Sequence, residues 1–392
     1  MRSAWSLAWL AKNSAPERLS GVARLDDPLV GALLDPAGLI GLDKAAWLSV
    51  LIRARQSGVL RRLAALSEES GILDRLPEAV QRRFAVQRLL IERNRTDMRF
   101  ELYCVQQALQ QPNPPIIALK GAAYVIGDLP LGRRRMCADL DLMVPKEWLA
   151  TVESTLIAQG WQRAELTSYD ESYYRRWMHE LPPLLHPDRG MIVDIHHAIS
   201  PLTGRYQPST EALLAAAIPI DGSRLEVLCP ADMVLHCGLH LFAEEFAAGL
   251  SGLVDLHELL QHFGRDEEFW NQLVARTRLH RLERILYYML RYTKVLLGTA
   301  IPPRVERAAE AGAPPAHLRL LMDLLFGAVL IPPDPGRRQP GRVIALWLLY
   351  VRAHWLRMPL PLLAYHLCKK ALQRRRTGVI PPPSDYRRPE MP

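Results

Sequence analysis

Apolar positions in this chain recur at helical spacing through the first hundred residues, give way to short continuous apolar runs in the middle, and return to helical spacing towards the end. The run Leu42–Gln56 places its apolar residues at three- and four-residue intervals and predicts a helix. A longer one is predicted over Val80–Gln111, where Phe84, Ile91, Met98 and Val105 step by seven and Leu102 and Leu109 fill the adjoining positions. Pro112, Pro114 and Pro115 stop it, because proline lacks the donor and clashes with the preceding turn. The pattern then changes. Ile116–Leu119 reads as a short buried strand, Lys120 and Gly121 as the turn out of it, and Ala122–Ile126 as the start of a helix. A loop over Gly127–Gly132 leads to a second strand, Asp139–Val144. Pro145 opens a helix that runs to about Gln159, and Trp161–Leu166 reads as a further strand. His179–Leu185 and Met191–His197 are expected to be two strands joined by His-Pro-Asp-Arg-Gly, whose proline and glycine mark a turn. From Cys229 the helical period returns, with proline clusters at 302–303, 314–315 and 332–340 marking connections.

Together these elements predict an α+β protein: short strands in the middle of the chain, flanked by N- and C-terminal helical regions. The expected divisions are 1–78 (helical), 79–228 (the strands with their leading helix) and 229–392 (helical, ending in a proline-rich tail from Pro381 expected to be disordered).

Composition narrows the partners. With 49 Lys and Arg against 41 Asp and Glu the formal charge is +8, which favours anionic ligands such as nucleotides, nucleic acid or an acidic membrane surface. The arginines of the long helix, from Arg82 to Arg99, read as a solvated basic face because no aromatic ladder accompanies them. The basic end of the chain, Lys369 to Arg376, reads in the same way. Five cysteines without CxxC pairing fit a reduced, cytoplasmic setting. The apolar patch Ala4–Ala11 is too short for an export signal, and no uncharged run approaches the roughly 20 residues needed to span a bilayer.

The chemistry concentrates between Ala118 and His196. Asp139 and Asp141, separated by one residue on a predicted strand, point to one face. Two adjacent acids in an apolar strand raise the cost of ionising each other unless a cation lies between them. Asp194, a lone acid in the apolar run MIVDIHH, would complete a three-carboxylate cluster if its strand lies beside the first. Such a cluster suits Mg²⁺ or Mn²⁺, which hold a triphosphate and activate an attacking hydroxyl. Lys120, the Gly121 amide and Arg135 are the candidates to meet phosphate charge, and His196, on the strand face of Asp194, is a candidate contact to phosphate or substrate.

These residues resemble a known group. The pattern LKGAA, then R-x-x-x-D-L-D-L-M-V from Arg135 to Val144, then VDIH from Val193 to His196, is similar to bacterial uncharacterised nucleotidyltransferases of the DNA-polymerase-beta superfamily. The resemblance covers roughly residues 115–200, with a looser echo in the helix around Leu253–Leu260. It implies a minimal nucleotidyltransferase core, a small mixed sheet with helices on one face, with Asp139, Asp141 and Asp194 as metal ligands and catalytic residues. It also implies an NTP such as ATP as co-substrate and release of pyrophosphate. The acceptor, whether small molecule, protein or RNA, is not specified. The alternative within the same fold is a catalytically inactive nucleotide-binding or RNA-binding module. Where many members carry Gly-Ser or Gly-Gly in the first turn, this chain has Gly121-Ala122.

Two histidine pairs imitate metal motifs. His236 and His240 lack the intervening glutamate of HExxH, and His257 and His262 are five apart, on different helix faces. Both pairs are expected to be packing residues.

Overall fold

The computed structural model describes residues 27–164, 177–243, 249–336 and 340–364. The proline-rich tail, the patch Ala4–Ala11 and the cluster from Lys369 lie outside these residues. The described residues open with helices α1 (Pro28–Leu34), α2 (Lys44–Gln56) and α3 (Leu60–Glu69). Asp27 caps α1 by accepting from the amides of Leu29 and Val30, and its other oxygen pairs with the buried Arg53 of α2 at 2.5 Å. The long helix α4 (Glu78–Ala108) follows, and Phe84, Ile91, Met98 and Val105 are each fully buried, as their seven-residue step requires. Its arginines are largely neutralised along the surface, Arg95 by Glu92 at 2.9 Å and Arg93 by Asp97 at 3.7 Å, with Arg82 on Glu78 and Arg88 on Glu68.

The central elements are β1 (Ile116–Ala118), α5 (Lys120–Ile126), β2 (Asp139–Met143), α6 (Leu149–Ala158), β3 (Gln162–Arg163), β4 (Leu184–Leu185), β5 (Ile192–His196), α7 (Thr210–Ala215), β6 (Ile218–Pro219) and β7 (Leu225–Val227). Among the described residues the strands form one mixed sheet in the order β3-β4-β5-β2-β1-β7-β6. β2 is antiparallel to β1 and parallel to β5, so it lies between the two strands that flank the predicted chemistry.

The structure corrects several sequence expectations. There is no separate turn at Lys120-Gly121, because α5 already begins at Lys120, which adopts a left-handed φ of 44° to leave the strand. The helix after Pro145 starts as a 3₁₀ turn, Lys146–Trp148. The strand expected over His179–Leu185 is reduced to Leu184–Leu185 plus an isolated bridge from Glu180 to His196, since Pro182 and Pro183 offer no amides to a ladder. The strand expected over Trp161–Leu166 shortens to Gln162–Arg163, and residues from 165 lie outside the described ones.

The C-terminal part comprises α8 (Pro230–Ala243), α9 (Gly249–Phe263), α10 (Glu267–His280), α11 (Glu283–Leu297), α12 (Pro303–Ala309), α13 (Ala316–Val329) and α14 (Pro340–Arg357). Buried apolar side chains form one contiguous core from Leu29 in α1 to Leu356 in α14. No helix among the described residues is long and apolar enough to cross a membrane.

Candidate active site

Strand alternation turns Leu140 and Leu142 to one face of β2, both fully buried, and Asp139 and Asp141 to the other. The register of the parallel β2–β5 pair sets Asp141 directly beside Asp194 and Met143 beside His196. The acid pair and the third acid are therefore on neighbouring strands and on one sheet face.

The start of β2 is fixed from outside the sheet. Asn94 of α4 donates to the Cys137 carbonyl at 2.9 Å and accepts from the Cys137 amide at 2.8 Å, which sets the backbone two residues before Asp139. Gly121 closes the same corner. A β-carbon at Gly121 would lie 2.1 Å from Cys137 Sγ and 2.8 Å from its Cβ, so only glycine permits the first turn of α5 to approach this strand. The Leu119 amide donates to the Asp141 carbonyl at 3.0 Å and joins the end of β1 to the acid strand.

Asp141 is the centre of the polar network. Lys120 Nζ donates to Asp141 Oδ1 at 2.8 Å, and His196 Nε2 donates to the same oxygen at 2.9 Å. On its other side His196 Nδ1 lies 3.4 Å from Glu180 Oε2. Nε2 and Nδ1 of one imidazole thus each face a carboxylate. His179 stands against the ring of His196 at 5.3 Å between centroids, and ligand-type atoms of His179, Glu180 and His196 lie within 4.8 Å of one another.

The electrostatics follow from this crowding. Burial on its own would raise the Asp141 carboxyl, but the Lys120 charge and the His196 hydrogen bond outweigh it and hold the group well below the usual carboxylate range. Asp139 is shifted upwards, first by burial and then by the charge of Asp141, with Lys120 and Arg135 opposing. Asp194 is pushed up to about 8 by burial and by the charges of Asp141 and Glu180. Burial opposes protonation of His196, yet its bond to Asp141 and the Glu180 charge leave it raised. The site therefore holds more negative charge than Lys120 and His196 neutralise.

Arg135, the arginine expected to meet phosphate, goes elsewhere. Arg135 forms an ion pair with Asp255 of α9 and lies 5.9 Å from the Tyr124 ring centroid. Arg134 bridges Glu69 at 2.6 Å and Glu258 at 3.3 Å, while Arg133 pairs with Asp128. Asp255 also takes the buried Arg62 of α3, so Arg62, Arg135, Asp255 and Glu258 clamp α3, α9 and the segment before β2 together. Arg135 reaches the site through its charge on Asp139, not through a contact there. Of the histidines set aside earlier, His236 is buried in α8; burial, with Arg62 nearby, lowers His257 to about 4, and its Nδ1 is 2.8 Å from Thr299 Oγ1.

Sequence reading missed Glu180 and Asp255. Glu180 is a single acid ahead of two prolines, and only the bridge to His196 brings it into the network. Asp255 and Glu258 are three apart in α9, a spacing that puts two acids on one helix face, and this was the available signal for an arginine partner.

A family model described as "Uncharacterised nucleotidyltransferase" matches residues 43–298. The chain belongs to this family. No curated protein and no solved structure matches it. The match reaches well beyond the 115–200 stretch where the sequence resemblance was visible, and it takes in α2 to α4 and α8 to α11. The Arg62–Asp255–Arg135 clamp lies wholly within the nucleotidyltransferase match, as do Asp139, Asp141, Asp194, Glu180 and His196.

Proposed function

We propose that this nucleotidyltransferase moves a nucleoside monophosphate from an NTP to a hydroxyl-type acceptor, with Asp139, Asp141 and Asp194 holding Mg²⁺ or Mn²⁺. The observation that carries the reading is the β2–β5 register. It places three carboxylates on one sheet face, with Asp194 raised to about 8 by burial and its acidic neighbours. That arrangement is unfavourable without a cation, and oxygen-rich donors suit a hard divalent one. Bound there, the ion would supply charge neutralisation for the triphosphate and a lower pKa for the attacking hydroxyl.

The side chains have separable tasks. Asp194, set beside Asp141 by the β2–β5 register, is suited to orient the acceptor hydroxyl and act as its base as the oxygen attacks the α-phosphorus and the bond to pyrophosphate breaks. Lys120 holds Asp141 through a short charged bond, and its ammonium is within reach of phosphate oxygens approaching that acid. His196, braced by Glu180, fixes the other approach to the same Asp141 oxygen. Gly121 and Asn94 position β2 and take no part in proton transfer.

Incubation with each α-labelled NTP, Mg²⁺ or Mn²⁺ and a lysate as acceptor pool tests the proposal. Label is expected to move to an acceptor, and Asp141→Asn is expected to abolish the transfer while circular dichroism stays unchanged. Nucleotide binding without transfer under all conditions would support the inactive binding module, and a folded protein that binds no NTP would overturn both readings.

A further inference from the structure

The C-terminal helix α14 presents a surface that the site chemistry does not use. Val343, Ile344, Trp347, Tyr350, Val351 and Trp355 are 71, 61, 62, 51, 43 and 41% exposed. At 3.6 residues per turn they occupy one arc of the helix. The opposite arc, Ala345, Leu349, Ala353 and Leu356, is buried, and the helix packs on α13 and α8. Its arginines turn inward. Arg342 donates to the carbonyls of Ala328, Val329 and Ile331, and Arg352 donates to Phe242 O at 2.6 Å with its guanidinium 5.6 Å from the Tyr288 and Phe326 ring centroids. An apolar arc with two tryptophans and a tyrosine is left facing outward, larger than the scattered apolar residues of an ordinary surface.

We propose that this face of α14 docks in the plane of an anionic lipid surface. The charge of the surrounding sequence selects that occupant. Between Asp334 and Asp385 there is no acidic residue, whereas Arg337 and Arg338 precede the helix in sequence and Lys369, Lys370 and Arg374 to Arg376 follow it. Basic residues around an apolar helix match acidic headgroups, and tryptophan and tyrosine suit the boundary between headgroup and chain. The helix lies on the surface, since none of the described helices can cross a bilayer.

The docked face is coupled to the sheet. The Arg205 amide donates to Leu356 O at 2.8 Å, Thr203 Oγ1 donates to Arg357 O at 2.9 Å, and the Arg205 guanidinium lies 3.8 Å from the Trp355 ring centroid. Residues 203–205 belong to the connection that leaves β5 just after His196 and His197, so the end of α14 is held to the segment that follows the site strand.

Co-sedimentation of the full chain with vesicles of phosphatidylcholine, with and without phosphatidylglycerol, tests this directly. Binding is expected to the anionic vesicles at least about tenfold more tightly than to the neutral ones, and the doubly substituted Ile344→Glu/Trp347→Glu chain is expected to lose it. Both positions are exposed, so thermal denaturation of that chain should match the parent. No binding to anionic vesicles, or binding unaffected by the double substitution, would overturn the proposal. So would light scattering that shows a dimer of the parent chain split by the same substitutions, which would assign the face to a second copy.

Discussion

Asp194 shows how one side chain links the site to pH. Its proton affinity is raised from the ordinary 3.8 to about 8, so the folded protein without a cation binds a proton at Asp194 over a range where the unfolded chain has lost it. Stability from this group is complete below about pH 4 and declines as pH rises towards 8. Thermal denaturation in chelator is therefore expected to show a falling midpoint across that window, and Asp194→Asn is expected to flatten this part of the profile. A divalent ion competes with the same proton, so its affinity, read by calorimetry, is expected to tighten as pH rises through 8 and to lose that dependence in Asp194→Asn. Gly121 gives a steric counterpart. Gly121→Ala places its new carbon 2.1 Å from Cys137 Sγ, and the strand carrying Asp139 must shift. Loss of activity with reduced stability is expected. Pairing it with Cys137→Ala should recover only part of both, because the Cys137 Cβ at 2.8 Å remains.

At the scale of elements, what was legible in the sequence and what was not divides along sequence distance. The acid pair, the strand around it and the third acid could be read because each announces itself as charge within a local apolar run, and period two fixes its face. The fate of Arg135 could not be read, since its partner Asp255 lies in α9 on the far side of the sheet sequence. Glu180 lay inside the expected strand His179–Leu185, but as a lone acid in that run it gave no sign of its partner, which only the bridge to His196 supplies. The clamp that sequence reading missed makes a strong demand on stability. Asp255 is buried and shared by Arg62 and Arg135, so Asp255→Ala removes the carboxylate common to both and leaves the buried Arg62 guanidinium with Glu258 at 3.3 Å. A loss of about 3–5 kcal/mol is expected by urea denaturation. If Arg135 were instead a direct phosphate ligand, Asp255→Ala would free it and tighten NTP binding; weaker binding in step with lost stability is the expected result.

For the whole molecule, the family match ends at residue 298 while the packed core continues to Leu356, and the question is whether the two parts fold as one. The interface between them is specific. Phe326 of α13 is fully buried among rings from the matched part: Phe242 at 5.3 Å, Tyr288 at 5.5 Å and Tyr292 at 4.9 Å between centroids. Beside it Arg291 pairs with Asp323 at 2.6 Å, and the Tyr292 hydroxyl donates to the same carboxylate at 3.0 Å. Aromatic packing of this kind is directional as well as apolar, so it couples the orientation of α13 to that of α8 and α11. Unfolding of the described region is therefore expected to be a single transition by calorimetry, in contrast to the division at 228–229 that the sequence pattern alone predicts. Phe326→Ala removes the ring at the centre and is expected to cost about 3–5 kcal/mol, read by denaturant titration. The decisive measurement is the shape of its transition. A single, displaced transition means that residues 299–364 are part of the nucleotidyltransferase core. A variant that melts first in a small step, followed by a parent-like main transition, would make α12 to α14 an appended module. The lipid-facing surface of α14 would then be able to move independently of the sheet it is joined to.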